Sequence, residues 1–249
     1  MSDFVELWTY LSTTPLFGLA STLALYIITS TIYKKLNQHP LANPVLWTVI
    51  VLALSLTWLQ VPYQTYFSGA QFIHFLLGPA VVALAWPLWL KRVELMRRLP
   101  RLLMAALVGG VVSAVLAVAM AWLLDLPQYL AMSLAPKSVT APVAMGLAEK
   151  MGGLPELAAI FAVLTGLIGA LLGKYIFDFI HIARDTSGWA QRGFALGTIS
   201  HGIGAARAIQ VQPTAGAFAG LALGLQVILA SLWMPVLLWV TLWLNPTWG

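Results

Sequence analysis

The chain has 249 residues, 60% of them hydrophobic and 8% charged, with a mean hydropathy of +0.88. Soluble domains carry about 25% charged residues, so the composition indicates an integral membrane protein. The lack of cysteine rules out a disulfide framework, a thiol nucleophile and a cysteine metal site, and the net charge of +5 reads as membrane orientation rather than nucleic-acid binding.

The N-terminus, Met1 to Glu6, has no Lys or Arg ahead of the first apolar run and no clear small-residue cleavage site, so the first helix is expected to be retained. A span needs about 20 apolar residues. The first is expected at Pro15 to Tyr33, ended by Lys34 and Lys35, and the second at Ala42 to Gln60. The third, Tyr66 to Leu90, contains Gly69, Gly78, Pro79 and Pro87 and reads as kinked or broken. The loop Lys91 to Arg101 carries five basic residues against Glu94 and is placed in the cytoplasm, which puts Lys34 and Lys35 inside and the N-terminus outside.

Leu102 to Leu124 reads as a clean span, with Gly109 and Gly110 available for close helix contact. Pro127 to Gly153 holds two prolines, a lysine, two serines and a threonine within Ser133 to Pro142. It is either a crossing with an unwound centre or a re-entrant hairpin. Pro155 to Ile180 is another clean span, His181 to Arg192 a polar loop, and Phe194 to Gln210 a second broken segment. Pro213 to Leu244 suits one tilted span plus an end. The positive-inside rule favours hairpins, because Arg184 and Arg192 then share the side of the other basic loops. A shift of 55 residues places Pro87 on Pro142 and Leu99-Pro100 on Leu154-Pro155, a faint internal repeat. The fold class is therefore all-α polytopic, with about six full transmembrane helices plus two discontinuous or re-entrant segments, or eight crossings if those segments traverse.

Backbone freed at membrane depth must be buried in protein or line a wet cavity, so the two broken segments are the candidate binding site for a small anion. Lys137 supplies a cation some depth from Asp125, with snorkelling as the bland alternative. Ser138 is placed to cap a half-helix beginning at Val139, and Thr140 to offer a hydroxyl; local backbone capping is the alternative for both. His201 stands beside Ser200 and the turn Gly202-Ile203-Gly204, whose glycines suit a nest of N–H donors. His201 could carry a coupled proton. Arg207 could bind a carboxylate bidentately, or be an interface arginine. His74 is a weaker candidate. Lys174 and Asp178, four apart, read as an ordinary pair, and Arg184 and Asp185 as solvated ends. No enzyme motif is present, so no catalytic residues, metal or cofactor are expected.

At these segments the chain resembles the LrgB/CidB family, which includes the plastidial glycolate/glycerate translocator. The residues that carry the resemblance are Pro136 to Thr140 with Pro142, Gly152-Gly153, Leu164 to Ala170, Arg192 to Thr198, His201 to Arg207 and Gly216 to Ala222. The match runs from about Leu76 to Pro235. It implies a carrier of small monocarboxylates such as glycolate, glycerate or pyruvate, in a bacterial inner membrane, with Lys137, Ser138, Thr140, His201, Gly202, Gly204 and Arg207 on family motifs. It also implies an alternative, a holin-like pore or accessory affecting autolysis, with a small LrgA/CidA-like membrane partner. On this reading 1–249 is one membrane domain, with 1–62 an N-terminal two-helix part and 63–249 the transport core. Its partners are the bilayer and the carboxylate substrate, and Gly-rich faces suit a homodimer. Ala205 stands where the family usually has threonine, and Ala215 where many members have an acid. If that acid is a coupling group, uniport or exchange gains weight.

Overall fold

The computed structural model describes residues 16–76, 79, 82, 86, 89 and 92–244. Among them every regular element is helical: α1 (Leu16–Lys35), a short 3-10 turn (Pro40–Ala42), α2 (Pro44–Trp58), α3 (Tyr63–Phe75), α4 (Arg92–Leu123), α5 (Gln128–Leu134), α6 (Ala141–Lys150), α7 (Pro155–Phe179), α8 (Thr186–Val211) and α9 (Pro213–Leu244). The chain divides into two compact units, Met1–Ala83 and Leu84–Gly249.

Four described helices are long and apolar enough to cross a membrane: Leu16–Lys35, Met96–Leu123, Pro155–Phe179 and Pro213–Leu244. The second expected span is a 15-residue apolar helix, α2, about 22 Å long and so shorter than a typical hydrocarbon core. Part of the third expected span, including Pro87, lies outside the described residues. A multi-pass helical membrane protein is thus established, whereas six full spans are not.

In the first unit α1 packs on α2 and α3. The Thr29 and Thr48 hydroxyls meet at 2.9 Å, and those of Thr22 and Tyr66 at 2.8 Å. α2 starts where Asn43 Oδ1 accepts the Val45 and Leu46 N–H groups and Pro44 needs no partner at the first helical position.

In the second unit α4 and α9 run parallel. Leu102 and Ala106 pack with Phe218 and Ala222, Gly110 faces Gln226, and Ala114 and Val118 cluster with Ala230 and Met234. Small residues bring the helices close. A Cβ added at Gly193 or Gly197 would stand 2.0 or 2.1 Å from the Ala215 or Ala219 carbonyl oxygen. The pairing 193–215 and 197–219 also shows that the first part of α8 is parallel to α9. α7 runs the other way along α8, with Gly173 against Leu196 and Gly169 against Ser200.

Both broken segments double back. The Leu154 N–H donates to Ser133 Oγ at 2.7 Å. Had α6 continued in the direction of α5, its ten residues would carry the chain about 15 Å onward. Four extended residues, about 13 Å, could not then bring Leu154 back. In α8 the backbone leaves helical geometry at His201, with φ 39° and ψ −131°. A Cβ at Gly204 would lie 2.6 Å from the Leu196 carbonyl oxygen, eight residues earlier, a distance of about 12 Å in a straight helix. α8 is therefore two arms, Thr186 to Ser200 and Gly202 to Val211, folded against each other. The second arm returns the chain so that α9 begins beside the first.

Two sequence expectations are corrected here. The stretch read as a loop to Arg192 is helical from Thr186, because Asp185 Oδ1 accepts the Gly188 N–H at 2.6 Å and starts the helix early. The 55-residue repeat does not align equivalent features, since Pro100 lies inside α4 while Pro155 opens α7. What recurs is a hairpin followed by a long helix, 128–179 and then 186–244, in opposite directions along the bundle.

Candidate functional site

The hairpins enter the second unit from opposite ends, and their tips reach adjacent positions on α4. Thr198, one turn before the second tip, lies against Gly109: a Cβ there would be 3.2 Å from Thr198 Cγ2. One turn further along α4, Ser113 holds the first tip. Lys137 Nζ donates to the Ser113 carbonyl at 3.0 Å and to Ser113 Oγ at 2.7 Å, and Ser138 Oγ lies 2.8 Å from the same hydroxyl. α7 forms a shared wall. Ala158 and Ala162 pack in one apolar cluster with Ala135, Val139 and Ala144 of the first hairpin. The Ala162 carbonyl lies 2.7 Å from His201 Nε2 at the tip of the second.

Lys137 is half-buried and Ser138 buried. Among the described residues Lys137 pairs with no carboxylate; its partners are the two Ser113 oxygens. The cation is solvated by neutral oxygens, an arrangement that leaves its charge uncompensated.

The expected cap at Ser138 is corrected. α6 begins at Ala141 with Thr140 in the capping position, and Thr140 makes no side-chain cap bond. Its carbonyl takes the Val143 and Ala144 N–H groups, and Pro142 has none, so few donors remain free at this helix start. The ammonium of Lys137 is the larger source of positive potential at this tip. Thr140 is half-buried beside it.

His201 is 4% exposed and is the residue that breaks α8. Gly202 and Gly204 keep helical backbone, so the nest expected of alternating glycine turns does not form. Gly204 instead lets the two arms touch, while Gly202 faces open space. Arg207 is buried on the return arm, about 9 Å along the helix from the tip. The structure thus gathers Lys137, Ser138 and Thr140 at one tip and His201, Gly202 and Gly204 at the other, with Arg207 two turns away. His74 lies on α3 of the first unit.

The pairing of Lys174 with Asp178 is also corrected. Asp178 binds Arg184 at 2.7 Å and Arg192 at 2.8 Å. Arg192 is buried, also donates to the Ile182 carbonyl, and lies over the Phe177 and Trp189 rings. It fastens the base of the second hairpin to the end of α7. Ser113 escaped the sequence reading because it is one small residue in a clean span; its signal was a hydroxyl one turn beyond Gly109 on a packing face. The Ala162 carbonyl carries no sequence signal. Among the described residues no group of His, Asp and Glu could hold a metal.

The LrgB-like family profile matches residues 22–240, both hairpins included. The chain belongs to this family. Protein YxaC of Bacillus subtilis is 32% identical over 219 residues, covering 88% of this chain and 93% of the relative. Holin-like protein CidB of Staphylococcus epidermidis is 30% identical over 217 residues, covering 87% and 93%. Protein YwbG of Bacillus subtilis is 30% identical over 217 residues, covering 87% and 94%. No solved structure matches. The LrgB-like chain is thus a multi-pass membrane protein, with a protein named holin-like among its relatives.

Proposed function

We propose that this LrgB-like chain is a secondary transporter of small 2-hydroxy or 2-oxo monocarboxylates, and not an enzyme. The observation that carries the reading is Lys137: a half-buried cation at a hairpin tip, beside a midspan serine, with no carboxylate partner among the described residues. Such a charge is costly in a membrane-embedded bundle unless an anion visits it. The substrate carboxylate would displace Ser113 from Lys137 and accept from Ser138 and Thr140. His201 would bond the 2-hydroxy or 2-oxo oxygen or carry a proton, Gly202 and Gly204 would keep the second tip slim, and Arg207 would contribute long-range positive potential. We place the end bearing Arg97, Arg98 and Arg101 in the cytoplasm of a bacterial inner membrane.

Counterflow of labelled glycolate and pyruvate in proteoliposomes tests this. Saturable, trans-stimulated uptake is expected, lost in Lys137→Ala while the variant keeps its melting temperature. Equal, unsaturable leak in both proteins refutes the anion site.

A second reading follows from the relative named holin-like protein CidB: a pore, or an accessory of one, working with a small LrgA/CidA-type membrane partner or as a homodimer. It predicts flux proportional to gradient and indifferent to Lys137 and His201, or flux only on co-reconstitution with such a partner.

A further inference from the structure

A groove of about 530 Å³ runs between α4 and the first arm of α8. Its basic end stands away from the hairpin tips. Arg98 and Arg101 lie at its basic end, three residues apart on α4 and so neighbours on one face. From there its floor follows Ala105 to Gly109, about 16 Å along the helix from Arg98, with Ala195 and Ile199 on the opposite wall. Gly109 and Thr198 close the far end, where the two elements touch.

We propose that this groove is a binding site for an anionic phospholipid, with the phosphate on Arg98 and Arg101 and one acyl chain along the Ala105–Gly109 floor. Apart from Gln191 and Thr198 on its walls, the groove beyond the arginines is lined by apolar groups, so an aqueous anion would be held chiefly at the arginine end. An acyl chain fills the remainder, and its headgroup then falls at the two guanidiniums, which suit phosphate oxygens bidentately. Basic pockets between transmembrane helices hold anionic headgroups in this way. A second copy of the chain complements the groove less well, since it brings 8 acids against 13 Lys and Arg.

Native mass spectrometry of the full chain in micelles tests the site with dioleoyl phosphatidylglycerol, phosphatidylcholine of the same chains, and glycerol 3-phosphate. Phosphatidylglycerol is expected to bind one-to-one at least tenfold tighter than phosphatidylcholine, and glycerol 3-phosphate not to displace it. The double substitution Arg98→Gln, Arg101→Gln should reduce phosphatidylglycerol to the phosphatidylcholine level. Ala195→Phe, which fills the trough without changing charge, should weaken it tenfold. Equal binding of the two lipids to the unaltered chain overturns the proposal, and that comparison needs no variant to fold. Displacement by glycerol 3-phosphate overturns the acyl seat, and undiminished binding in both variants places the lipid elsewhere. All these outcomes are independent of whether the chain transports carboxylates.

Discussion

Gly197 is where α8 and α9 approach most tightly next to the hairpin tips, and its replacement by alanine has a calculable consequence. The added methyl would sit 2.1 Å from the Ala219 carbonyl oxygen, and within 2.7 Å of the Ala219 carbonyl carbon and Cα. That is roughly 1 Å or more short of an ordinary van der Waals separation. The obstacle is main chain, so no rotamer change relieves it and the helices must part. With main chain as the obstacle the cost falls in the upper part of the range for overpacking, about 2–3 kcal/mol, against which alanine recovers about 1 kcal/mol of helix propensity. A net loss of about 1–2 kcal/mol corresponds to a fall of roughly 2–8 °C in melting temperature, on the scale of soluble chains of this size. The control is Gly224→Ala on α9, where nothing lies within 4 Å of the new Cβ. There the propensity gain stands alone, and the melting temperature should hold or rise slightly. Both are read by thermal unfolding in one detergent. Equal shifts in the two variants, or no fall in Gly197→Ala, would refute the claim that bare backbone contact holds α8 against α9.

Three further outcomes are expected. Ser133→Ala removes the acceptor for the Leu154 N–H and the donor to the Tyr129 carbonyl; it should cost about 1–2 kcal/mol, seen as a lower melting temperature and faster cleavage in the Met151–Leu154 turn. Ser113→Ala leaves Lys137 with one oxygen partner fewer; a several-fold change in KM for carboxylate uptake at near-constant kcat is expected, and unaltered kinetics would remove Ser113 from the site. His201→Gly relieves a left-handed backbone conformation that costs a side-chain-bearing residue about 1–3 kcal/mol while losing one hydrogen bond worth about 1 kcal/mol. Its melting temperature should match or exceed that of His201→Ala, with flux reduced in both, and a less stable glycine variant would contradict the strain.

Apolar runs, proline and glycine punctuation and lone cations are written residue by residue, so the two breaks and the spans around α4, α7 and α9 were legible in the chain. Prolines also marked the first hairpin, where Pro136 and Pro142 flank the tip. The second has no proline at its break, and the reversal falls on a histidine, a residue that seldom adopts φ 39°. Only tertiary contact, including the Ala162 carbonyl, selects that geometry. The early start of α8 was hidden because Thr186-Ser-Gly188 reads as loop, although Asp185 was a cap in plain view. Charge pairing went astray for a related reason: Asp178 and Lys174 share a helix face, but the fold brings two arginines with planar, multi-donor heads to the same carboxylate. In the site itself Lys137 and Ser138 stood out by type. Their tether, Ser113, lies 24 residues from Lys137 and depends on a hairpin whose direction composition does not encode.

α7 is pinned at three heights: the Leu154 N–H at Ser133, just before its first turn, the Ala162 carbonyl at His201, two turns in, and the Asp178 carboxylate at Arg192 near its far end. The first pin belongs to one hairpin and the other two to its counterpart. A helix is a stiff rod over this length, so it works as a crossbar between two plugs pushed in from opposite sides. A displacement of either hairpin would load the same helix that holds its counterpart. If displacing one hairpin shifts the equilibrium of its counterpart by some factor, displacing the counterpart shifts the first by that same factor, since such coupling is reciprocal. On the proposed transport reading, two hairpins tied in this way would form an interlock, like the paired doors of an airlock.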